Sequence, residues 1–171
     1  MEENKNELIE RTLVLLKPDA VQRGLVGRII QRFEDVGLKM VAMKMLWADE
    51  ELASKHYGDL GERKGENIKK QMVDFISHVG PVIAMVIEGI EAIDEVRMMV
   101  GSTEPKSATP GTIRGDFAHV SYNYSNRKDI GVKNLIHASD SVENANREIA
   151  LWFSINEIYS YKTVSDIHIL E

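Results

Sequence analysis

The strongest constraint on the fold is the alternation of short apolar runs with segments of helical period. Thr12-Leu13-Val14-Leu15-Leu16 is stopped by Lys17-Pro18 and reads as a buried strand. Val82-Ile83-Ala84-Met85-Val86-Ile87, set between Gly80-Pro81 and Gly89, reads as another. Residues 40–47 alternate in part, and residues 134–138 predict a fourth, shorter strand. Between these runs, Leu25, Ile29, Ile30, Phe33 and Val36 recur at helical spacing and Gly37 stops them. Asp49-Glu50-Glu51 opens a further helix that reaches about His56-Tyr57, its acids complementing the helix dipole. Residues 66–77 and 91–100 predict two more helices, and Val142, Ala145, Ile149 and Trp152 share one face of a last one. Residues 58–65 and 102–116, rich in glycine, proline or charge, read as loops, and the tail from Ser154 is mixed. The order β-α-β-α-α-β-α-loop-β-α implies an α+β sandwich built on a small sheet.

The 171 residues show no repeat or internal linker, which suits one domain over 1–171. Within it, residues 1–10 form a polar tail and residues 154–171 a C-terminal extension. Apolar residues make up 43% and charged residues 28%, the balance of a globular chain rather than a disordered one. The apolar run at 82–87 is too short to span a bilayer, and the acidic start lacks a secretory apolar core. Without cysteine there is no disulfide, no thiolate metal site and no thiol nucleophile. A soluble cytoplasmic protein is the plain expectation. The net charge of −6 argues against a general nucleic-acid binder, which must neutralise many phosphates. It leaves room for a pocket where a few arginines meet one small anion.

Neither glycine-loop nucleotide motif is present, no histidine pair has zinc spacing, and there is no G-x-S-x-G. His137 stands at the end of one predicted strand and just before a helix, beside the small residues Ala138 and Ser139. A neutral imidazole with one nitrogen free and the other held is a competent nucleophile toward phosphorus, and Glu148 on the next helix could hold it. Arg97 and Arg114 flank a loop stiffened by Pro105 and Pro110, where they could grip phosphate oxygens with help from the Thr103 hydroxyl. Lys17 closes the first strand and could reach a phosphate as a point charge, and Tyr57 could approach a ligand. Each has a plainer reading too. His137 could bond only to neighbouring backbone, the arginines could be solvated, Lys17 could mark where the strand meets water, and Tyr57 could be packing.

The motifs together resemble the nucleoside diphosphate kinases from Thr12 to about Tyr161. They are Leu16-Lys17-Pro18-Asp19-Ala20-Val21, His56-Tyr57, Gly80-Pro81-Val82, Arg97, Gly101-Ser102-Thr103-Glu104-Pro105, the run from Pro110 to Phe117, and Asn134 to Ser141 with Glu148. The resemblance implies that His137 takes a phosphate from a nucleoside triphosphate, as a pros-phosphohistidine, and gives it to a diphosphate. It implies that Lys17 and Asn134 meet the sugar while Arg97, Thr103 and Arg114 hold phosphates. Tyr57 and Arg63 would complete the nucleotide site, and Ser139 and Glu148 would support the imidazole. The implied fold is a ferredoxin-like antiparallel sheet with helices packed on one face, and the implied assembly is a homo-oligomer, hexamer or tetramer. The nucleotide would bring Mg²⁺ on its own phosphates, with no protein cage for the metal. No membrane and no specific nucleic acid is implied as a partner.

Two departures from the family pattern stand out. Lys64-Gly65-Glu66-Asn67-Ile68 replaces a stretch whose aromatic stacks on the base, so base stacking must use an aliphatic residue or be weaker. The segment between Phe117 and Asn134 is longer and polar, predicting an excursion near the mouth of the site. These departures motivate one rival, a nucleotide-binding regulatory module without turnover, against which the retained His137, Glu148 and arginines speak.

Overall fold

The computed structural model describes residues 8–169. Four strands form one sheet: β1 (Ile9–Leu16), β2 (Lys39–Leu46), β3 (Val82–Ile90) and β4 (Ile136–Ala138). Their order is β2-β3-β1-β4, and every neighbouring pair runs antiparallel. This is the ferredoxin-like arrangement of a split β-α-β. The helices are α1 (Pro18–Gln22), α2 (Val26–Asp35), α3 (Glu50–His56), α4 (Leu60–Lys64), α5 (Glu66–His78) and α6 (Ala92–Val100). After them come α7 (Ile113–Phe117), α8 (Tyr122–Arg127), α9 (Val142–Trp152) and α10 (Asp166–Ile169).

Successive side chains of a strand point to opposite faces, and in β1 this alternation divides the residues between two apolar clusters. Val14 and Leu16 join one with Ile29 and Phe33 of α2 and Val96 of α6. Leu13 and Leu15 join the other with Phe75 and Ile76 of α5 and Ile149 and Trp152 of α9. The sheet therefore buries both faces, which corrects the expectation of helices on one face only. The two crossover helices α2 and α6 account for the expected face, and α3, α5 and α9 cover the other. This double burial is why β1 and β3 read as continuous apolar runs rather than as alternating ones.

Some boundaries differ from the sequence reading for local reasons. β1 begins at Ile9, so Ile9 and Glu10 belong to the sheet, and residues 1–7 of the predicted tail lie outside the described residues. The expected loop at 58–65 contains α4, held by an ion pair from Arg63 to Asp59 one turn earlier at 2.8 Å. Gly61 lies buried inside this helix, and a Cβ on it would meet only the carboxylate end of the exposed Glu66 side chain. The loop expected over 102–116 ends at Thr112, whose hydroxyl accepts from the Gly115 amide (3.1 Å) and starts α7. The C-terminal extension folds back along β2: the Tyr159 amide donates to the Val41 carbonyl (2.8 Å) and Asp166 pairs with Lys39 (3.1 Å). Among the described residues no helix is long and apolar enough to cross a membrane.

Phe33 is fully buried under the sheet. Phe33→Ala should cost about 3–5 kcal/mol in urea unfolding while leaving the surroundings of His137 untouched.

Candidate active site

The carboxyl end of β1, the short strand β4 and the start of α9 converge on a cleft of about 780 Å³. Its geometry is fixed by an unusual backbone step. Leu135, fully buried, has φ +70°, a left-handed conformation that a bulky residue adopts only when its surroundings enforce it. Three sources enforce it here. The Leu135 amide donates to the buried Asp19 carboxylate (3.0 Å), and its carbonyl accepts from the Lys17 amide (2.8 Å). The Arg114 guanidinium, only 7% exposed, clamps the carbonyls on either side, those of Asn134 (3.2 Å) and Ile136 (2.6 Å), and reaches Gly101 as well (2.8 Å). This kink is why β4 starts at Ile136 rather than at the expected Asn134, and it delivers His137 into the cleft.

His137 is partly exposed, its side chain 24% accessible. Its Nε2 meets the Glu148 carboxylate at 2.8 Å, so Nδ1 is the nitrogen left for chemistry. Glu148 is buried midway along α9 and is bound again by the Ser139 hydroxyl (2.7 Å), which donates to the same oxygen. Ser139 is itself anchored to β1, accepting from the Leu13 amide (3.3 Å). Along the floor, Lys17 Nζ donates to the Asn134 side-chain oxygen (2.8 Å), and the Asn134 amide donates to the Thr103 carbonyl (2.8 Å). Burial, with the Arg114 charge adding to it, pushes the Lys17 ammonium down to about 7. The same two causes, burial first and Arg97 as the like charge, bring Arg114 down to about 10.

Every residue singled out in the sequence lines this one cleft except Ser139, which sits behind Glu148. Arg114 differs in emphasis from the expected phosphate gripper. Three of its N–H groups go to backbone carbonyls, and a guanidinium has five to give, so two remain for a ligand. Arg63 stands at the rim, half-exposed and paired with Asp59. Leu60, Ile68, Met72, Tyr122, Ile130 and Val132 add an apolar part to the lining of the cleft. The long segment after Phe117 is thus not an idle excursion: it folds in part as α8 and lines the cleft with Tyr122, Ser125, Asn126, Ile130 and Val132. Sequence reasoning gave no role to Asp19 or to His56. Asp19 was visible within the Lys-Pro-Asp motif, but nothing local signals that its carboxylate caps a backbone amide 116 residues away.

One group of metal-type donors occurs among the described residues, His56 with His137 and Glu148, their atoms within 4.8 Å of one another. The Trp152 indole N–H donates to His56 Nδ1 (3.2 Å), and an indole is only ever a donor. A neutral His56 consequently carries its proton on Nε2 and turns an N–H, not a lone pair, to any ion. The donor set is a poor cage.

The family profile described as nucleoside diphosphate kinase matches residues 10–158. The chain belongs to the nucleoside diphosphate kinase family. A nucleoside diphosphate kinase of Borreliella burgdorferi is 52% identical over 157 residues, 91% of this chain and 93% of that one. One of Pyrococcus furiosus is 52% identical over 160 residues, 92% of this chain and 91% of that one. Among solved structures, a transition-state mimic of the Borrelia burgdorferi nucleoside-diphosphate kinase with bound vanadate and ADP superposes with a TM-score of 0.93. It is 49% identical and covers 95% of this chain and 98% of its own.

The low Lys17 value gives the family cleft a pH signature. Between pH 7 and the 10.5 of an unburied lysine, the unfolded chain holds a proton at Lys17 that the folded chain has released. Stability must rise with pH across that window, because the unfolded state binds more protons. The penalty for burying the charge is full below pH 7 and is relieved above it. Urea unfolding at pH 7 and pH 9 should show the wild type gaining stability relative to Lys17→Met.

Proposed function

We propose that this chain carries the γ-phosphoryl group of a nucleoside triphosphate to Nδ1 of His137 and from there to a nucleoside diphosphate. The observation that carries the assignment is the 2.8 Å contact between His137 Nε2 and the buried Glu148 carboxylate. An ionised carboxylate can only accept, so Nε2 bears the proton and Nδ1 keeps its lone pair toward the cleft. In the first half-reaction that lone pair attacks the γ-phosphorus while the bond to the bridging oxygen breaks and the diphosphate departs. In the second, the terminal oxygen of an incoming diphosphate attacks the same phosphorus and the P–N bond breaks, restoring the imidazole. One cleft serves donor and acceptor in turn, which is ping-pong kinetics.

Phosphoryl transfer asks a protein mainly for alignment and for positive charge around an in-line transition state. Lys17, Arg97, Arg114 and Arg63 face the cleft and are the groups we assign to that charge, with Thr103 adding a hydroxyl. Lys17 and Asn134, hydrogen-bonded to each other, are assigned to the sugar, and Tyr57 lines the site beside them. Ser139 and Glu148 orient the imidazole. The substrate is the Mg²⁺ complex of the nucleotide, since Mg²⁺ prefers phosphate oxygens and water to a protein cage. The reading carries with it a cytoplasmic setting and a homo-oligomer, hexamer or tetramer. The base is assigned to the apolar lining, which is mainly aliphatic (Leu60, Ile68, Met72, Ile130 and Val132), so it contributes little discrimination.

Incubation with γ-labelled ATP and Mg²⁺ should load the wild type with acid-labile, alkali-stable phosphate that ADP then removes, and His137→Ala should take up none. A wild type that stays unlabelled, or a His137→Ala variant that labels equally, overturns the assignment. Across purine and pyrimidine diphosphates, kcat/KM should vary by less than about a hundredfold, roughly 2.7 kcal/mol.

A further inference from the structure

His56 is a buried titratable group in the cleft that the proposed chemistry does not use. It lies at the end of α3, only 3% exposed, and contacts three aromatic rings. Its ring centre stands 4.5 Å from that of His137 with the planes at 85°, 4.7 Å from Tyr57 at 68°, and 5.6 Å from Trp152 at 84°. The Trp152 indole fixes its tautomer through Nδ1, and Nε2 is buried without a hydrogen-bond partner. A buried N–H left unpaired costs free energy, so its retention calls for a reason beyond packing. Burial first, then the charges of His137, Lys17 and Arg147, hold His56 well below the ordinary histidine range, so it stays neutral beside the nucleophile.

The orientation of His137 supplies that reason. Glu148 restrains the imidazole through one nitrogen only, and rotation about the Cβ–Cγ bond of a histidine is intrinsically broad and roughly two-fold. A single hydrogen bond leaves the ring able to tilt about that contact, and a half-turn would put carbon where Nε2 now meets the carboxylate. A perpendicular ring at 4.5 Å opposes both motions. We propose that His56 is a positioning residue for His137: packed perpendicular to it and locked by Trp152, it keeps Nδ1 rather than Nε2 presented to phosphorus. The proposal rests on the phosphohistidine reading and adds to it the element that selects which nitrogen reacts.

Two variants separate the ring from the hydrogen bond. His56→Gln still offers Trp152 an oxygen acceptor but removes the perpendicular ring; His56→Phe keeps a ring and removes the acceptor. Steady-state kinetics with ATP and ADP, thermal melts, and ³¹P NMR of the alkali-denatured phosphoenzyme are compared with wild type. His56→Gln should lose about ten- to a hundredfold in kcat with KM for ADP changed by less than about threefold. Its phosphoenzyme should show an Nε2-phosphohistidine signal beside the Nδ1 signal, whereas His56→Phe should retain the Nδ1 signal alone and a smaller loss in kcat. A Gln variant with wild-type kcat and only Nδ1 phosphate overturns the proposal. So does a Gln variant whose loss follows its melting temperature with no Nε2 product, or a Phe variant that loses as much as Gln. The wild type tells the two claims apart: if it takes no phosphate the enzymatic reading itself fails, and if it does, these outcomes bear on His56 alone.

Discussion

The site depends on the Arg114 guanidinium more than on any other group. By gripping the carbonyls of Gly101, Asn134 and Ile136 it ties the loop after α6 to the entrance of β4. With Asp19 it holds Leu135 in a conformation that would relax if the grip were lost. Everything beyond the kink inherits its position from it: the Asn134 side chain against Lys17, the His137 ring in the cleft, and Ser139 against β1. A lysine could supply the charge but not the fork, so the geometry asks for arginine on structural grounds before any phosphate is considered.

The chemical groups then fall into layers of increasing burial. His137 is open enough to meet a ligand, Glu148 behind it is nearly closed off, and Ser139 behind Glu148 is fully enclosed. The buried Glu148 carboxyl group is hydrogen-bonded twice on one oxygen, by the imidazole and by the hydroxyl, and meets the Arg147 guanidinium at 3.5 Å on the other, which offsets the cost of burying it. The floor of the cleft is arranged differently. There the cations stand close to one another, and the burial that aligns Lys17 also weakens its hold on its own proton. An anionic ligand would relieve that strain, which is a reason for such a cleft to favour being occupied.

Much of this was legible in the chain itself. The strands at 12–16 and 82–87 announced themselves because a sheet covered on both faces writes uninterrupted apolar runs, and the helix starting at Asp49 is capped as its acids suggested. His137, Glu148, Lys17, Arg97, Arg114 and Asn134 were legible because the motifs around them keep their order and spacing, and all of them face one cavity. What stayed hidden was set by distant partners. The φ of Leu135 has no local cause, since a leucine carries no turn signal and its enforcers lie at Asp19 and Arg114. The helix at Leu60–Lys64 was masked by the glycines at 58, 61 and 65, which read locally as loop residues. The pairing of Trp152 with His56 joins positions 96 apart, and neither residue type foretells the other. The second covered face was hidden for the same reason, because period tells that a helix has an apolar side but not which side of a sheet receives it.

Helix α9 carries Glu148 and Trp152 one turn apart, on the same flank, and each reaches a different imidazole. Two attachments that share a rigid rod cannot drift independently. A slide or roll of that rod on the sheet would displace both heterocycles together, preserving their mutual angle while moving the pair relative to the cleft floor. The reacting nitrogen is therefore aimed by the seating of a whole segment, through Ile149 and Phe153 pressed on the apolar layer beneath, so substitutions far from any ligand but under that segment would reach the chemistry mechanically.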